Sequence, residues 1–223
     1  MQKHWWKILG VALVFYAIIA GMLLKVPKLN ILYESIRNLY YHVPMWFSMI
    51  ILFTVSLIYS IKYLGSSKPK FDAIAKETAS VGIFMGLLGL LTGMIWAKYT
   101  WGAYWVSDPK LNGALAAILI YAAYFLLRNS MEDDTKRARI SSVYGIFAYA
   151  LMIVFIIILP RLTDSLHPGS GGNPGFNVYD LDSNMRLIFY PAVIGWALFS
   201  FWLVNLRLRI ENVKKELLYS HNL

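Results

Sequence analysis

The sequence predicts an all-α, polytopic membrane protein: one domain of six transmembrane helices with both termini cytoplasmic. Three observations carry that reading. Of the 223 residues, 58% are apolar and 15% charged, and the mean hydropathy is +0.54. A soluble domain carries about 45–50% apolar and about 25% charged residues, so lipid must serve here as part of the solvent. The apolar residues gather in six runs, each near the roughly 20 residues that a hydrocarbon core about 30 Å thick demands. Lysine and arginine fall at the ends of those runs, unequally on the two sides.

The runs are Trp5–Leu24, Tyr41–Tyr63, Ala79–Ala97, Asn112–Arg128, Ser142–Pro160 and Leu187–Leu206. Each is helical because backbone groups in lipid must find partners within their own segment. Lys3 and Lys7 precede the first run as they would in a signal peptide, but the run is long for one and Ala17–Ala20 makes a poor cleavage site. An uncleaved first helix is expected. In the third run Gly82, Gly86, Gly89 and Gly93 recur at spacings of four, three and four, which lets helix backbones approach closely. Close approach to a flat ligand is the alternative use. Pro191 is expected to kink the sixth helix. No internal repeat divides residues 1–223.

One set of connections holds 14 of the 21 basic residues: Lys3, Lys7, Lys62, Lys68, Lys70, Lys76, Arg128, Lys136, Arg137, Arg139, Arg207, Arg209, Lys214 and Lys215. The richer set is cytoplasmic by the positive-inside rule. The outer connections are then about 25–40, 98–111 and 161–186, the last with a Gly/Pro/Ser-rich stretch at Ser165–Gly175.

Composition also excludes functions. The net charge of +9 is dispersed along span ends, which suits anionic lipid rather than nucleic acid. Without cysteine the chain forms no disulfide, no thiolate metal site and no covalent c-type haem. It has no phosphate-binding loop of the G-x-x-x-x-G-K-[ST] kind. Neither a nucleophile–base pair nor a carboxylate pair is recognisable, so the expected role is not enzymatic.

Of four histidines, His4 and His221 lie in polar ends and read as solvated residues. His42 opens the second helix in Tyr-Tyr-His42-Val-Pro44, and His167 sits in the last outer loop before Pro168. Two imidazoles from separate elements on one side of the membrane suit ligation of an iron from opposite sides; helix or turn capping beside a proline is the plainer alternative. Between them runs Lys98-Tyr-Thr-Trp101-Gly-Ala-Tyr104-Trp105-Val-Ser-Asp108-Pro109. If helical, this segment puts Trp101, Tyr104, Trp105 and Asp108 on one face, a shelf for a flat conjugated ligand or part of an interfacial aromatic belt. Asp108 followed by Pro109 also reads as the N-cap and first residue of the fourth helix.

These residues carry a resemblance. Trp101-Gly-Ala-Tyr-Trp105-Val-Ser-Asp108 resembles the tryptophan-rich W-G-x-x-W-x-W-D signature of haem-handling proteins in cytochrome c biogenesis, the CcmC/CcmF/CcsA family. His42-Val-Pro44 with Trp46 resembles that family's H-V-P-x-x-W motif, and His167 matches its second outer histidine. Length and six spans fit the CcmC branch. Ser107 stands where the signature often has tryptophan, and so does Tyr104, which weakens that edge of the shelf.

The resemblance implies a haem-binding and haem-delivery component of the bacterial inner membrane, working at its periplasmic face. It implies non-covalent, transient haem b, with His42 and His167 as axial ligands to the iron and Trp101, Tyr104, Trp105 and Asp108 as the platform. It further implies the haem chaperone CcmE as acceptor, the ABC-type proteins CcmA and CcmB and the small membrane protein CcmD as partners, and no nucleic acid. The outer cations Arg37, Lys98, Lys110, Arg161 and Arg186 are candidates for the propionates. Two other classes stay open: an electron-transfer cytochrome b subunit, which usually needs histidines within spans, and a transporter subunit, which usually carries intramembrane charge.

Overall fold

The computed structural model describes residues 4–27, 32–167 and 181–221. The 28–31 part of the first outer connection and the 168–180 part of the third, with most of the Gly/Pro/Ser-rich stretch, lie outside the described residues. So does the side chain of His221; His4 is exposed, as expected of a solvated end. In chain order come α1 (Trp5–Leu23), a 3₁₀ helix (Tyr33–Asn38), α2 (Leu39–Ser66), α3 (Pro69–Trp101), α4 (Pro109–Asn129), α5 (Asp134–Ile153), a π-helical turn (Val154–Ile158), α6 (Leu159–Leu162) and α7 (Ser183–His221). Among the described residues there is no strand.

Six helical stretches are long and apolar enough to cross a membrane, one for each expected run. They outrun the apolar windows at the polar ends. The α3 helix starts at Pro69 rather than Ala79, with a proline in its first turn and Asp72 near its positive end. The α7 helix continues past Leu206 to His221 and contains Pro191. Hydropathy locates the lipid-embedded part of a helix, not the point at which its backbone ladder stops.

The side chains divide between interior and lipid. One core joins Met49, Leu52 and Phe53 of α2 to Ala79 and Met85 of α3, Tyr121 of α4 and Met152 of α5. A second joins Ala17 of α1, Tyr40 of α2 and Met185, Ile188 and Phe189 of α7. Many apolar side chains outside these cores face outward, Leu126 being 73% exposed. In water that exposure would be a liability; in lipid it costs nothing.

The joint between α2 and α3 fixes their register. Two residues, Ser67 and Lys68, connect them, and Ser67 takes a left-handed conformation (φ 52°) that turns the chain back. The two helices then run side by side with α3 glycines facing α2 side chains in strict succession. A Cβ on Gly82 would meet Phe53 Cε1 at 2.6 Å, and one on Gly86 would meet Met49 Sδ at 2.7 Å. On Gly89 it would meet Trp46 Cε2 at 2.9 Å, and on Gly93 His42 Cε1 at 2.6 Å. The glycine spacing is therefore a row of seats for α2 side chains, and the tight-packing reading of the sequence holds.

Charge closes the far end of α3. Arg128 of α4 donates to both carboxylate oxygens of Asp72, at 2.7 and 2.5 Å. Glu77, only 2% exposed, pairs with Lys76 at 3.0 Å and with Arg207 of α7. Buried charges are tolerated when paired and hydrogen-bonded in this way, and here they tie α3 to α4 and α7.

Gly82→Val should lower the thermal midpoint of the detergent-solubilised protein clearly, by the ~1–3 kcal/mol typical of overpacking. Gly65→Val, where nothing lies within 4 Å of the added carbon, should leave it nearly unchanged. Equal midpoints for the two variants would contradict the seating of Phe53 on Gly82.

Candidate functional site

His42 is the fourth residue of α2, in its first turn, and its ring is held from several sides. Its Nδ1 lies 2.9 Å from the Gly89 carbonyl and 3.2 Å from Thr92 Oγ1. A carbonyl only accepts, so Nδ1 carries the proton. The indole Nε1–H of Trp46 donates to His42 Nε2 at 3.3 Å, which requires a lone pair there. Both bonds assign the same neutral tautomer. Trp96 of α3 meets the ring edge-on at 5.8 Å between centroids, and Gly93 leaves room for it.

His167 is positioned by Asp108. The helix α3 ends at Trp101 because Gly102 adopts φ 84°, a conformation that favours glycine. Residues 102–108 are then non-helical, and α4 starts at Pro109. The expectation of one helical face through Trp101, Tyr104, Trp105 and Asp108 is corrected on this point: the left-handed glycine breaks the periodicity after its first member. Trp101 stays on the last turn of α3 and packs edge-on against the His167 ring at 4.9 Å. Tyr104 and Trp105 follow on the irregular segment, 57% and 36% exposed.

The Asp108 side chain is fully buried and acts as a knot. Its Oδ1 accepts from the amides of Lys110 (2.9 Å) and Leu111 (3.4 Å), which makes it the N-cap of α4. The same oxygen lies 2.9 Å from His167 Nδ1. Its Oδ2 accepts from Ser165 Oγ at 2.8 Å and from the Leu166 amide at 2.7 Å. Burial pushes this carboxyl's pKa up. The hydrogen bond from His167, that from the Leu166 amide, the charge of His167 and the Ser165 hydroxyl outweigh it and hold the group well below the usual carboxylate range. With the folded pKa depressed, the stabilisation is complete above the unfolded value of about 3.9 and is lost only as pH falls toward the folded value. The knot is intact throughout the neutral range.

Both imidazoles thus give Nδ1 to an oxygen acceptor, His42 to a backbone carbonyl and His167 to a carboxylate. Metal-ligating histidines characteristically do this, since it fixes the tautomer and ring orientation and directs ligation to Nε2. The two rings rest on the same end of α3, His42 by Gly93 and Trp96, His167 by Trp101. Among the described residues, no three His, Asp or Glu side chains gather to hold a bare metal ion. Two imidazoles beside an aromatic surface suit a metal that brings most of its own ligands.

Several of the cations expected on the outer side are engaged elsewhere. Arg37 pairs with Glu34 and donates to the Gly21 and Leu24 carbonyls at the end of α1, at 2.7 and 2.6 Å. Lys98 donates to the Gly102 carbonyl at 2.9 Å, with its ammonium 5.7 Å from the Tyr104 ring centre. Arg186 donates to the Leu181 carbonyl, and Arg161 is exposed.

In the sequence Trp46 stands out only within a motif and Gly89 only in the glycine row, while Thr92, Trp96 and Ser165 do not stand out as site residues. Trp46 was within reach of periodicity, being four residues after His42 on a helix. The others depend on the α2–α3 register and the path of a loop.

The family model for heme exporter protein C, CcmC, matches residues 1–221. The chain belongs to this family. The heme exporter protein C of Paracoccus denitrificans is 25% identical over 185 residues, 82% of this chain and 76% of that one. The heme exporter protein C of Bradyrhizobium diazoefficiens is 33% identical over 110 residues, 49% of this chain and 41% of that one. The cytochrome c biogenesis protein CcsA of Synechococcus sp. (strain CC9902) is 33% identical over 94 residues, 42% of this chain. The match spans 31% of that longer protein. Membership of the CcmC family and six membrane-competent helices together identify a multi-pass membrane protein of the cytochrome c biogenesis group.

Asp108→Ala should unfasten residues 165–167 from the start of α4. Hydrogen exchange at the Leu166 amide should accelerate by about tenfold or more, as loss of a cap and its bonds, worth ~1–2 kcal/mol, implies. Unchanged exchange at Leu166 would contradict the knot.

Proposed function

We propose that this chain binds haem b, non-covalently and transiently, at the periplasmic face of the bacterial inner membrane and presents it to the haem chaperone CcmE during cytochrome c maturation. His42 and His167 are the axial ligands through Nε2. Trp101, Tyr104 and Trp105 form the aromatic surface beside them, and Asp108 keeps His167 in place and orders the platform. CcmA, CcmB and CcmD are the proposed partners, and both termini are cytoplasmic.

The observation that carries the reading is the shared hydrogen-bonding state of the two imidazoles, each with Nδ1 on an oxygen acceptor. Plain helix capping by histidine would not ask for both rings to be oriented in this way beside tryptophans of one helix. Family membership supports the cargo, since relatives bear the name heme exporter protein C. Haem supplies two open axial positions on iron, a flat apolar ring and two anionic propionates. The residues then have plain tasks: the imidazoles hold, the indoles and the phenol exclude water, and the outer end of α3 spaces them. This is presentation rather than catalysis; positioning a reactant for its acceptor itself lowers the barrier.

Purified protein should show a haem b spectrum, oxidised and reduced, that weakens or shifts in both His42→Ala and His167→Ala. Replacing one axial imidazole should cost at least tenfold in haem retention, within the range for altered metal surroundings. A spectrum unchanged in the double variant, or a folded wild type that takes up no haem beside its partners, would overturn the proposal.

A further inference from the structure

We infer that Trp46 is a positioning residue that competes with iron for His42 and thereby sets how readily haem leaves. The inference rests on the haem-presenting reading above. An axial imidazole must offer the Nε2 lone pair, and in this structure that lone pair accepts the Trp46 Nε1–H at 3.3 Å. A lone pair in the plane of an imidazole serves one partner at a time. Iron and the indole N–H therefore exclude each other at this atom.

The competitor is held in place by the residue that orients the ligand. The Trp46 indole lies against Gly89, where an added Cβ would meet its Cε2 at 2.9 Å and Nε1 at 3.1 Å. The Gly89 carbonyl is also the acceptor for His42 Nδ1. One glycine of α3 thus seats the indole on one side of the imidazole and anchors the nitrogen on the other. Trp46 and His42 are four residues apart on α2, so their spacing is set by the helix itself.

The consequence concerns release. When haem departs, a half-buried imidazole nitrogen with no partner would be costly. Trp46 supplies that partner at once, so emptying the site leaves both His42 nitrogens hydrogen-bonded. The indole weakens ligation and stabilises the empty site by the same bond, which suits cargo that must be handed on.

The test compares wild type with Trp46→Phe, which keeps a ring against Gly89 but has no N–H. A second variant carries 3-benzothienylalanine at position 46, which keeps the bicyclic shape without the donor. Haem-loaded proteins in detergent are mixed with excess apomyoglobin, and haem loss is followed in the Soret band. Both variants should lose haem about fivefold more slowly than wild type, the size expected for one modest hydrogen bond. In the haem-free proteins, diethyl pyrocarbonate should acylate His42 faster in both variants, with the rate at His167 as internal reference. Haem loss as fast as or faster than wild type in the benzothienyl variant, or an unchanged acylation rate at His42, would overturn the inference while leaving haem binding standing. A wild type that binds no haem would remove the functional reading, and this inference with it.

Discussion

The row of glycines on α3 is the constraint on which the rest depends. Four α2 side chains, Phe53, Met49, Trp46 and His42, each fill the space where one α3 glycine lacks a Cβ. In lipid there is little hydrophobic force to press helices together, so close van der Waals fit must do so. The fit begins in the core, where Phe53 also stacks on Tyr121 at 3.5 Å between ring centroids. It ends, at the end of α3 away from Asp72, with an imidazole. The same packing that holds the bundle together therefore delivers a candidate ligand to a fixed depth and orientation.

The second ligand reaches the same end of α3 by polar rather than steric means. Gly102 stops the helix, Asp108 restarts the chain as α4, and five donors converge on its carboxylate, one of them His167. At the opposite end Asp72 and Glu77 bind α4 and α7 through arginines. The α3 helix is thus clamped by charge at one end and carries aromatic and imidazole groups at the other. Along α3 the ion pairs lie near one end and apolar fit prevails along the glycine row.

Much of this was legible in the sequence, for definite reasons. Six spans follow from hydropathy because lipid imposes a length. The glycine spacing announced close packing, and Asp108-Pro109 announced a cap. His42 and His167 stood out because imidazoles are few and both flank an aromatic run. What could not be read depends on contacts between elements. Which α2 residue sits on which glycine needs the register set by Ser67. That His42 Nδ1 finds Gly89 and Nε2 finds Trp46 follows only from that register. The single helical face does not form because its periodicity would have to run across Gly102, and a glycine after a last apolar turn is itself a stop signal. The π-helical turn at Val154–Ile158 left no mark in an evenly apolar run.

The central claim is that an α3 seat, Gly93, holds His42 where it serves as a ligand. Electron paramagnetic resonance of the ferric, haem-loaded protein tests it directly, with wild type beside Gly93→Ala. A methyl there would meet the imidazole carbon at 2.6 Å and push the ring off its place. The account predicts a low-spin, bis-imidazole signal in wild type and a largely high-spin signal from the haem that Gly93→Ala retains. Identical low-spin signals in both would contradict it.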